Sequence, residues 1–301
     1  MSQQRKNPTY QEVDGFTINI TFSPECVRGA IQYKPRDDDI FVVTFPKCGT
    51  TWTQHIVHNI LNKGETFKSF DDVQKRSPFI EMVGPKIVKN MIRPGAIKTH
   101  LPFHMCPYSP NAKYIYVTRN PRDCCVSFYH HTKMFPGYQF QGGSFDDFFE
   151  VFINGETEWG DYFDHLLSGY EHKNDPNVCF ITYEEMKEDT KAAVLKLAKF
   201  LGPQYGDTLE SDDEIMLKIL DHTSIKFMKR FNEDMKLFYS NTDETNLNGT
   251  ESLKVDFVRK GAVGDWKNYF SPVQSKRLME KFYTKTKGTD IFSLWDKLFQ
   301  D

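Results

Sequence analysis

The residues Ile40–Asn62 read I-F-V-V-T-F-P-K-C-G-T-T-W-T-Q-H-I-V-H-N-I-L-N, and this stretch decides the fold. Its first six residues are all aromatic or β-branched and are followed by a proline, which predicts a strand buried on both faces. After a break at Pro46–Gly49, apolar side chains recur with helical spacing at Trp52, Ile56, Val57, Ile60 and Leu61. The pattern predicts a strand, a tight loop and a helix.

The loop between this strand and helix has the features of an oxyanion site. The first N–H groups of a helix lack intrahelical partners, and the helix dipole adds positive charge there. Gly49 lets the backbone approach a ligand closely, and Lys47 supplies a full charge, while Thr50 and Thr51 add hydroxyl groups. The order is not that of a Walker A loop, because the lysine precedes the glycine. An ordinary β–α turn with a surface lysine is the alternative.

The whole chain has the composition of a folded α/β protein. With 301 residues, 39% hydrophobic and 15% aromatic, it can bury a large core. The net charge of −3 argues against a nucleic-acid coat or a polybasic membrane anchor. Met1–Tyr10 lacks the apolar core of a signal peptide, and no apolar run is long enough to span a bilayer, so we expect a cytoplasmic protein.

The cysteines give no sign of a disulfide framework or a metal centre. None of the six forms a C-x-x-C pair, and Cys124 and Cys125 are adjacent. We therefore expect the thiols to be reduced and mostly buried, and we expect no bound metal.

A second motif, Ala96–Pro102 (A-I-K-T-H-L-P), indicates a short strand that ends in a loop, since the proline disfavours helical geometry at the residue before it. Side chains at the carboxyl end of a parallel strand face the crevice where α/β proteins bind ligands. Lys98 and His100, two apart on an extended chain, are expected on one side. A structural role for a lone histidine is the alternative.

Two further motifs supply candidate anion ligands. Tyr114–Arg119 predicts a strand with Arg119 at its carboxyl end, and Asn120–Asp123 begins a helix that carries Ser127. Near the carboxyl terminus, Arg259–Gly261 places two cations before a glycine, which suits a phosphate clamp. A surface ion pair and a solvated basic cluster are the respective alternatives.

The remaining chain alternates strands and helices, which favours a parallel sheet covered on both faces. We expect a single α/β domain over residues 1–301, with a core at about 39–270 and an N-terminal arm at 1–38. Met134–Gly143 is rich in glycine and aromatic residues and is expected to form a pocket wall. Lys63–Arg93 is expected to be irregular, and Asn232–Ser252 to be a loop that is mobile when its ligand is absent.

The four motifs, P-K-C-G-T-T-W, K-T-H-L-P, T-R-N-P-R-D-C-C-V-S and R-K-G-A-V-G-D-W-K, resemble those of the cytosolic sulfotransferases and follow that family's order. These enzymes transfer a sulfuryl group from 3′-phosphoadenosine 5′-phosphosulfate (PAPS), leaving PAP, to the hydroxyl or amine of a small acceptor such as a phenol, an alcohol or a monoamine. The resemblance covers most of the chain and implies a single domain with a P-loop-like phosphosulfate-binding core.

By this resemblance, His100 is the general base, and Lys47, Lys98 and Ser127 complete the catalytic set. The implied cofactor-binding residues are Lys47, Cys48, Gly49, Thr50, Thr51, Trp52, Arg119, Ser127, Tyr183, Thr223, Ile225, Met228, Phe257, Val258, Arg259, Lys260 and Gly261. The implied acceptor pocket comprises Phe22, Phe79, Met82, Lys98, His100 and His131. Plain core packing is the alternative for Phe79 and Met82.

The chain departs from the family pattern at several positions. Cys48 stands where many members have serine, and Ile225 where many have phenylalanine. Many members dimerise through K-x-x-x-T-V-x-x-x-E, whereas the matching residues here are Lys267, Ser271, Pro272 and Lys276. The apolar pair is lost and a charge is reversed, so we expect a monomer, or a dimer that uses another surface.

Two other functions are compatible with a strand–loop–helix phosphate site. A P-loop-type nucleotide kinase would share it but requires a Walker A loop, which the sequence lacks. A nucleotide-binding regulator without catalysis would need no base, whereas His100 is present in K-T-H-L-P.

Overall fold

The computed structural model describes residues 6–240 and 256–299. Its strands are β1 (Tyr10–Val13), β2 (Phe16–Asn19), β3 (Ile40–Thr44), β4 (Ile97–Thr99), β5 (Lys113–Thr118) and β6 (Val178–Thr182). The first helices are α1 (Pro24–Ile31), α2 (Thr50–Leu61), α3 (Phe70–Arg76), α4 (Ile80–Lys89), α5 (Pro121–Met134), α6 (Phe145–Asn154) and α7 (Tyr162–Tyr170). They are followed by α8 (Tyr183–Glu188), α9 (Thr190–Leu201), α10 (Pro203–Ser211), α11 (Asp213–His222), α12 (Ile225–Met228), α13 (Arg230–Ser240), α14 (Pro272–Lys285) and α15 (Asp296–Phe299).

A four-stranded sheet in the order β4-β3-β5-β6 forms the centre of the molecule. All three strand pairs are parallel, and Val43 of β3 lies opposite Thr99 of β4 and Tyr116 of β5. Parallel strands need crossover connections, and here helices provide them. The predicted α/β fold with a central parallel sheet flanked by helices is confirmed.

The sheet is buried on both faces, as its β-branched and aromatic sequence predicts. Val42 of β3 packs into one core with Ile56 of α2 and Leu197 of α9. Its neighbours Phe41 and Val43 point to the opposite face and pack into a larger core. That second core is largely aromatic and includes Tyr114, Tyr116, Phe128, Phe148, Phe152 and Tyr162. Each strand therefore anchors two helical layers.

The N-terminal segment forms a hairpin and a helix that pack on the domain. Strands β1 and β2 pair antiparallel, with Tyr10 opposite Asn19, and Ile18 is fully buried in the aromatic core. The amide of Thr9 donates to the carbonyl of Tyr138 at 2.8 Å. This bond attaches the hairpin to the segment that follows α5.

Local helix signals in the sequence agree with the structure. Ser144 caps α6 in a capping box with Asp147, and Asn120 accepts a hydrogen bond from the amide of Arg122 at the start of α5. The amphipathic helix predicted over Thr190–Leu201 is α9. The six cysteines are free, and five of them are buried. No helix within the described ranges has both the length and the apolar composition that crossing a bilayer requires.

The structure contradicts the irregular conformation predicted for Lys63–Arg93 and for the first part of Asn232–Ser252. Lys63–Arg93 contains α3 and α4, and α4 escaped detection because Gly84, at φ 77°, and Pro85 interrupt its pattern. The beginning of Asn232–Ser252 lies in α13, where Phe231 and Met235 pack at helical spacing against Phe67. The rest of that segment lies outside the described residues.

Candidate active site

A cleft of about 2420 Å³ opens at the carboxyl ends of β3, β4 and β5. Lys47, His100 and Arg119, which follow these three strands, all line it. Crevices at this edge of a parallel sheet are the usual ligand sites of α/β proteins. Every residue assigned to the site from the sequence lines the cleft except Cys48, which is fully buried.

One end of the cleft, here called the loop end, is built from Pro46–Trp52, Arg119, Tyr183 and Arg259–Gly261. Gly49 caps α2 with a left-handed φ of 96°. A Cβ atom there would lie 2.8 Å from Cδ2 of Tyr183. Both this clash and the left-handed φ disfavour any residue larger than glycine at position 49. Thr50 begins α2, and its hydroxyl lies 2.7 Å from that of Thr44.

Cys48 lies below the loop and not in the cleft. Its sulfur is 3.8 Å from that of Cys124 on α5, and both side chains are fully buried. The loop turns the Cys48 side chain into the core, so any contribution of this residue to ligand binding would come from its backbone.

Lys47 is strained and desolvated. Its φ is 70°, and its ammonium nitrogen lies 3.9 Å from the centre of the Phe257 ring. Burial, together with the charges of Lys98 and Arg119, lowers the pKa of Lys47 to about 7. An anionic ligand beside Lys47 would favour its charged form and so offset the lowering of the pKa by burial and by the neighbouring cations.

Arg119 connects two of the sequence motifs. Its Nη1 donates to the carbonyl of Lys47 at 3.2 Å, and its Nη2 donates to the carbonyl of Ala262 at 3.1 Å. The guanidinium carbon lies 4.3 Å from the centre of the Tyr183 ring. Its Nε is buried and has no hydrogen-bond partner among the described residues.

Arg259 and Lys260 share one carboxylate. Nη1 of Arg259 lies 2.7 Å, and Nζ of Lys260 2.6 Å, from the two oxygens of Asp265. Although burial raises the pKa of Asp265, hydrogen bonds from these cations lower it to about 2. Asp123 accepts hydrogen bonds from the amides of Gly264 and Trp266 at 2.7 and 3.0 Å, which docks this basic loop on α5.

A second set of side chains lines the cleft beside the loop end. Nε1 of Trp52 donates to the carbonyl of Thr223 at 2.8 Å, and its ring meets the edge of Tyr183 at 5.4 Å. Ile225 packs closely against Gly261: a Cβ atom added to Gly261 would lie 2.7 Å from Cδ1 of Ile225. Met228 and Val258 line the same cleft, as does Ser127.

The opposite end of the cleft, here called the histidine end, contains His100. Its Nδ1 lies 2.7 Å from the carbonyl oxygen of Thr44, which can only accept, so Nδ1 carries the proton and Nε2 keeps its lone pair. Burial and the nearby Lys98 hold the pKa of His100 well below its ordinary value. The ring is therefore uncharged at neutral pH.

Glu81 supports His100, and sequence reasoning missed it. Its Oε1 accepts hydrogen bonds from the amides of His100 at 3.0 Å and Leu101 at 3.2 Å, and from the hydroxyl of Thr99. Burial raises the pKa of Glu81 to about 7. No local signal identifies this role, because the carboxylate comes from α4 and the loop it holds follows β4.

Aromatic rings line the histidine end. Phe79 lies 4.9 Å from the ring of His100 and 5.4 Å from that of Phe22, measured between centroids. Trp159, which sequence reasoning also missed, lies 5.8 Å from His100 and 5.5 Å from Phe22. Nζ of Lys98 sits 3.9 Å above Phe79, and burial lowers the pKa of Lys98 to about 8.

Glu158 and His131 are the polar side chains that complete the histidine end. The Tyr138 hydroxyl donates to Oε1 of Glu158. Like Glu81 and Trp159, Glu158 was not identified from the sequence. Oε2 of Glu158 and Nδ1 of His131 are buried and have no hydrogen-bond partner within the described ranges. Met82, 40% exposed, lies at the rim. The segment predicted as a pocket wall contributes Met134 to Gln139 to the lining.

Comparisons with known proteins identify the architecture. The family described as "Sulfotransferase domain" matches residues 37–290. Sulfotransferase 1C2 of Oryctolagus cuniculus is 34% identical over 297 residues, covering 95% of each chain. The amine sulfotransferase of the same species is 34% identical over 269 residues, covering 88% of this chain and 86% of that protein.

A solved sulfotransferase structure has the same fold as this chain. The mouse sulfotransferase SULT7A1, crystallised with PAP, superposes with a TM-score of 0.76 at 33% identity, covering 96% of this chain and 98% of that one. The family match and these identities decide against the nucleotide kinase and the non-catalytic regulator considered from the sequence. The chain belongs to the sulfotransferase family and is a sulfotransferase.

Proposed function

We propose that this enzyme transfers the sulfuryl group of PAPS to the hydroxyl or amine of a small aromatic acceptor, with His100 as the general base. The observation that carries the proposal is the fixed tautomer of His100, whose unprotonated Nε2 shares one cleft with an anion-binding loop. A neutral imidazole held in this way can accept a proton during reaction.

The residues of the loop end fit PAPS. Lys47 and the first amides of α2 would hold the 5′-phosphosulfate, since a helix N-terminus with a buried lysine favours an oxyanion. Arg119, Ser127, Arg259, Lys260 and Gly261 would hold the 3′-phosphate. The hydrogen bonds of Arg119 to the carbonyls of Lys47 and Ala262, which bring these segments together, support this assignment. Trp52, Tyr183, Thr223, Ile225 and Met228 would enclose the adenosine.

When bound, PAPS supplies the sulfuryl group and a phosphate leaving group. Nε2 of His100 takes the acceptor's proton while a bond forms between the acceptor atom and sulfur and the bond from sulfur to the phosphate oxygen breaks. Lys47 and Lys98 stabilise the negative charge that develops on the oxygens, because both ammonium groups lie in a desolvated region. Glu81 holds the backbone of His100 in place throughout.

The acceptor would occupy the histidine end. Its walls are formed by Phe22, Phe79, Trp159 and His131 beside the base. An aromatic acceptor can stack or make edge contacts with these rings. The free cysteines are consistent with a reducing compartment, and we propose that the enzyme acts in the cytoplasm.

The decisive experiment is a transfer assay with PAPS labelled in its sulfuryl group and a panel of phenols, alcohols and amines. We expect labelled product and stoichiometric PAP. Absence of transfer to every acceptor, from protein that binds PAP, would overturn the proposed reaction while leaving the nucleotide site intact.

A further inference from the structure

His165 is a buried histidine that the proposed reaction does not use. It lies in α7, is 1% exposed, and is not part of the lining of the cleft. Burial lowers the pKa of His165 to about 3, so its ring is neutral at neutral pH. Burying polar nitrogens costs free energy unless they are hydrogen-bonded, and both ring nitrogens of His165 have partners.

The partners of His165 fix its tautomer. Nε2 lies 3.2 Å from the carbonyl oxygen of His100, which can only accept, so Nε2 carries the proton. In the neutral ring Nδ1 is then an acceptor, and the Tyr116 hydroxyl donates to it at 2.6 Å. Tyr116 lies in β5 and is itself fully buried. The sheet therefore orients the imidazole so that its N–H points at the backbone of His100.

The peptide unit between His100 and Leu101 is held from two sides. Its carbonyl accepts from Nε2 of His165, and its N–H, which belongs to Leu101, donates to Oε1 of Glu81 at 3.2 Å. These two side chains come from α7 and α4. Because a peptide unit is planar, bonds at both its carbonyl and its N–H restrict its rotation. That rotation changes ψ of His100, so the two contacts restrict the backbone torsion that follows the histidine.

His100 thus has three polar anchors on three different elements. Its Nδ1 donates to the carbonyl of Thr44 in β3 at 2.7 Å, and its N–H donates to Glu81 in α4 at 3.0 Å. Its carbonyl accepts from His165 in α7. Displacing a catalytic group by about 1 Å can reduce the rate about 10²-fold, so the loss of one anchor should affect turnover.

The packing of His165 can be separated from its hydrogen bond. The ring centroid lies 5.5 Å from that of Phe45 and 5.6 Å from that of Tyr116. A phenyl ring at position 165 would keep this packing and lose the donor. A glutamine would lose the ring but could place an amide N–H near the position of Nε2.

We infer that His165 is a positioning residue, which donates its Nε2–H to the carbonyl of His100 and thereby keeps Nε2 of His100 directed at the acceptor. This inference rests on the proposed role of His100 as the general base. His165 exchanges no proton in the reaction. Its loss should lower kcat and leave the binding of PAPS and of the acceptor nearly unchanged.

The first test compares His165→Phe with His165→Gln. We expect kcat for a phenol to fall about 10–100-fold in His165→Phe, because His100 loses an anchor. In His165→Gln we expect kcat to recover to within about fivefold of the wild type, while both variants keep KM for PAPS and the Kd of PAP within about twofold. Equal losses of kcat in the two variants, or a parallel loss of PAP affinity, would show that His165 serves only the stability of the fold.

The second test uses a matched pair of tyrosines on β5. Tyr116→Phe removes the hydroxyl that orients His165 and should lower kcat severalfold. Tyr114→Phe is the control, since Tyr114 is also fully buried but its hydroxyl donates to the carbonyl of Pro107 at 2.9 Å. Both histidines remain in these variants, so the inference can be tested even if the His165 variants do not fold. Equal kcat values for the two variants would overturn it.

A spectroscopic readout separates this inference from the proposed function. Nitrogen-15 spectra of histidine-labelled protein with PAP bound report the tautomer of His100 without any turnover. We expect a single Nδ1–H tautomer in the wild type and a mixture or exchange broadening in Tyr116→Phe. An unchanged His100 signal in that variant rejects the positioning role alone. Full turnover by His100→Ala rejects instead the proposed base.

Discussion

The loop end and the histidine end of the cleft are built by different means. At the loop end, the polar groups come from short contiguous segments, and Arg259 and Lys260 share the single carboxylate of Asp265. At the histidine end, single side chains come from distant segments, and buried atoms of Glu158 and His131 have no hydrogen-bonding side-chain or backbone partner recorded within residues 6–240 and 256–299. The first end is organised by the backbone, and the second by packing. We expect the first to be specific for one cofactor and the second to decide the acceptor.

The largest expected effect is a loss of kcat without a loss of PAP affinity when His100 is replaced. His100→Ala removes the proposed base and is expected to reduce kcat by about 10²–10⁴-fold, the usual contribution of general base catalysis. PAP affinity, measured by calorimetry, stays close to that of the wild type because His100 lies outside the loop end. Near-normal turnover of a phenol of high pKa by this variant would show that another group is the base.

The next effect tests the selectivity of the loop end. Arg259→Ala is expected to weaken PAP binding by about 10–100-fold, since a charge-assisted contact contributes roughly 1.5–3 kcal/mol. Binding of AMP, which lacks the 3′-phosphate, should change little. Calorimetry of both nucleotides measures this, with the exposed Lys276→Ala as the control. Equal losses for PAP and AMP would contradict the assignment of the 3′-phosphate site.

A smaller effect concerns protons taken up at the loop end. Lys47, with a pKa lowered to about 7, is largely neutral at pH 8, and bound phosphate should raise that pKa. PAP binding is then coupled to proton uptake, and affinity is full below pH 7 and declines severalfold toward pH 9. Calorimetry at pH 8 in Tris and in HEPES, which differ in ionisation enthalpy, measures the uptake. Lys47→Arg, which stays charged, should reduce it, and an uptake of zero in the wild type would reject this role.

The last prediction is that two copies of this chain do not associate through the segment that many sulfotransferases use for dimerisation. Ser271 and Pro272 form the N-cap and first turn of α14, and Lys276 is 78% exposed beside Glu280. We propose that the protein is a monomer, or a dimer through another surface, because neither end of the cleft needs a partner chain to complete its described lining. Light scattering at micromolar concentration should give the monomer mass. A dimer that a substitution at Pro272 dissociates would contradict this.

The same contrast explains what could be predicted from the sequence. The strand and helix around Lys47, the short strand before His100 and the helix after Arg119 follow from local patterns of burial and capping. Their relative placement follows because parallel strands bring their carboxyl ends to one edge. Glu81, Glu158 and Trp159 were not predicted, since their roles depend on contacts between segments distant in the sequence. The burial of the Cys48 side chain could not be predicted either, because the sequence does not reveal which way a loop residue with positive-φ neighbours will turn.

The hairpin attached to Tyr138 has a consequence for how this enzyme can change. Phe22 precedes residue 37, where the match to the sulfotransferase domain begins, yet it contacts Phe79 and Trp159 beside His100. Tyr138 joins that hairpin to Glu158. We therefore expect substitutions or insertions near the amino terminus to reshape the proposed acceptor site without disturbing the loop around Lys47. Substrate range and catalytic machinery would then be separately variable parts of one chain.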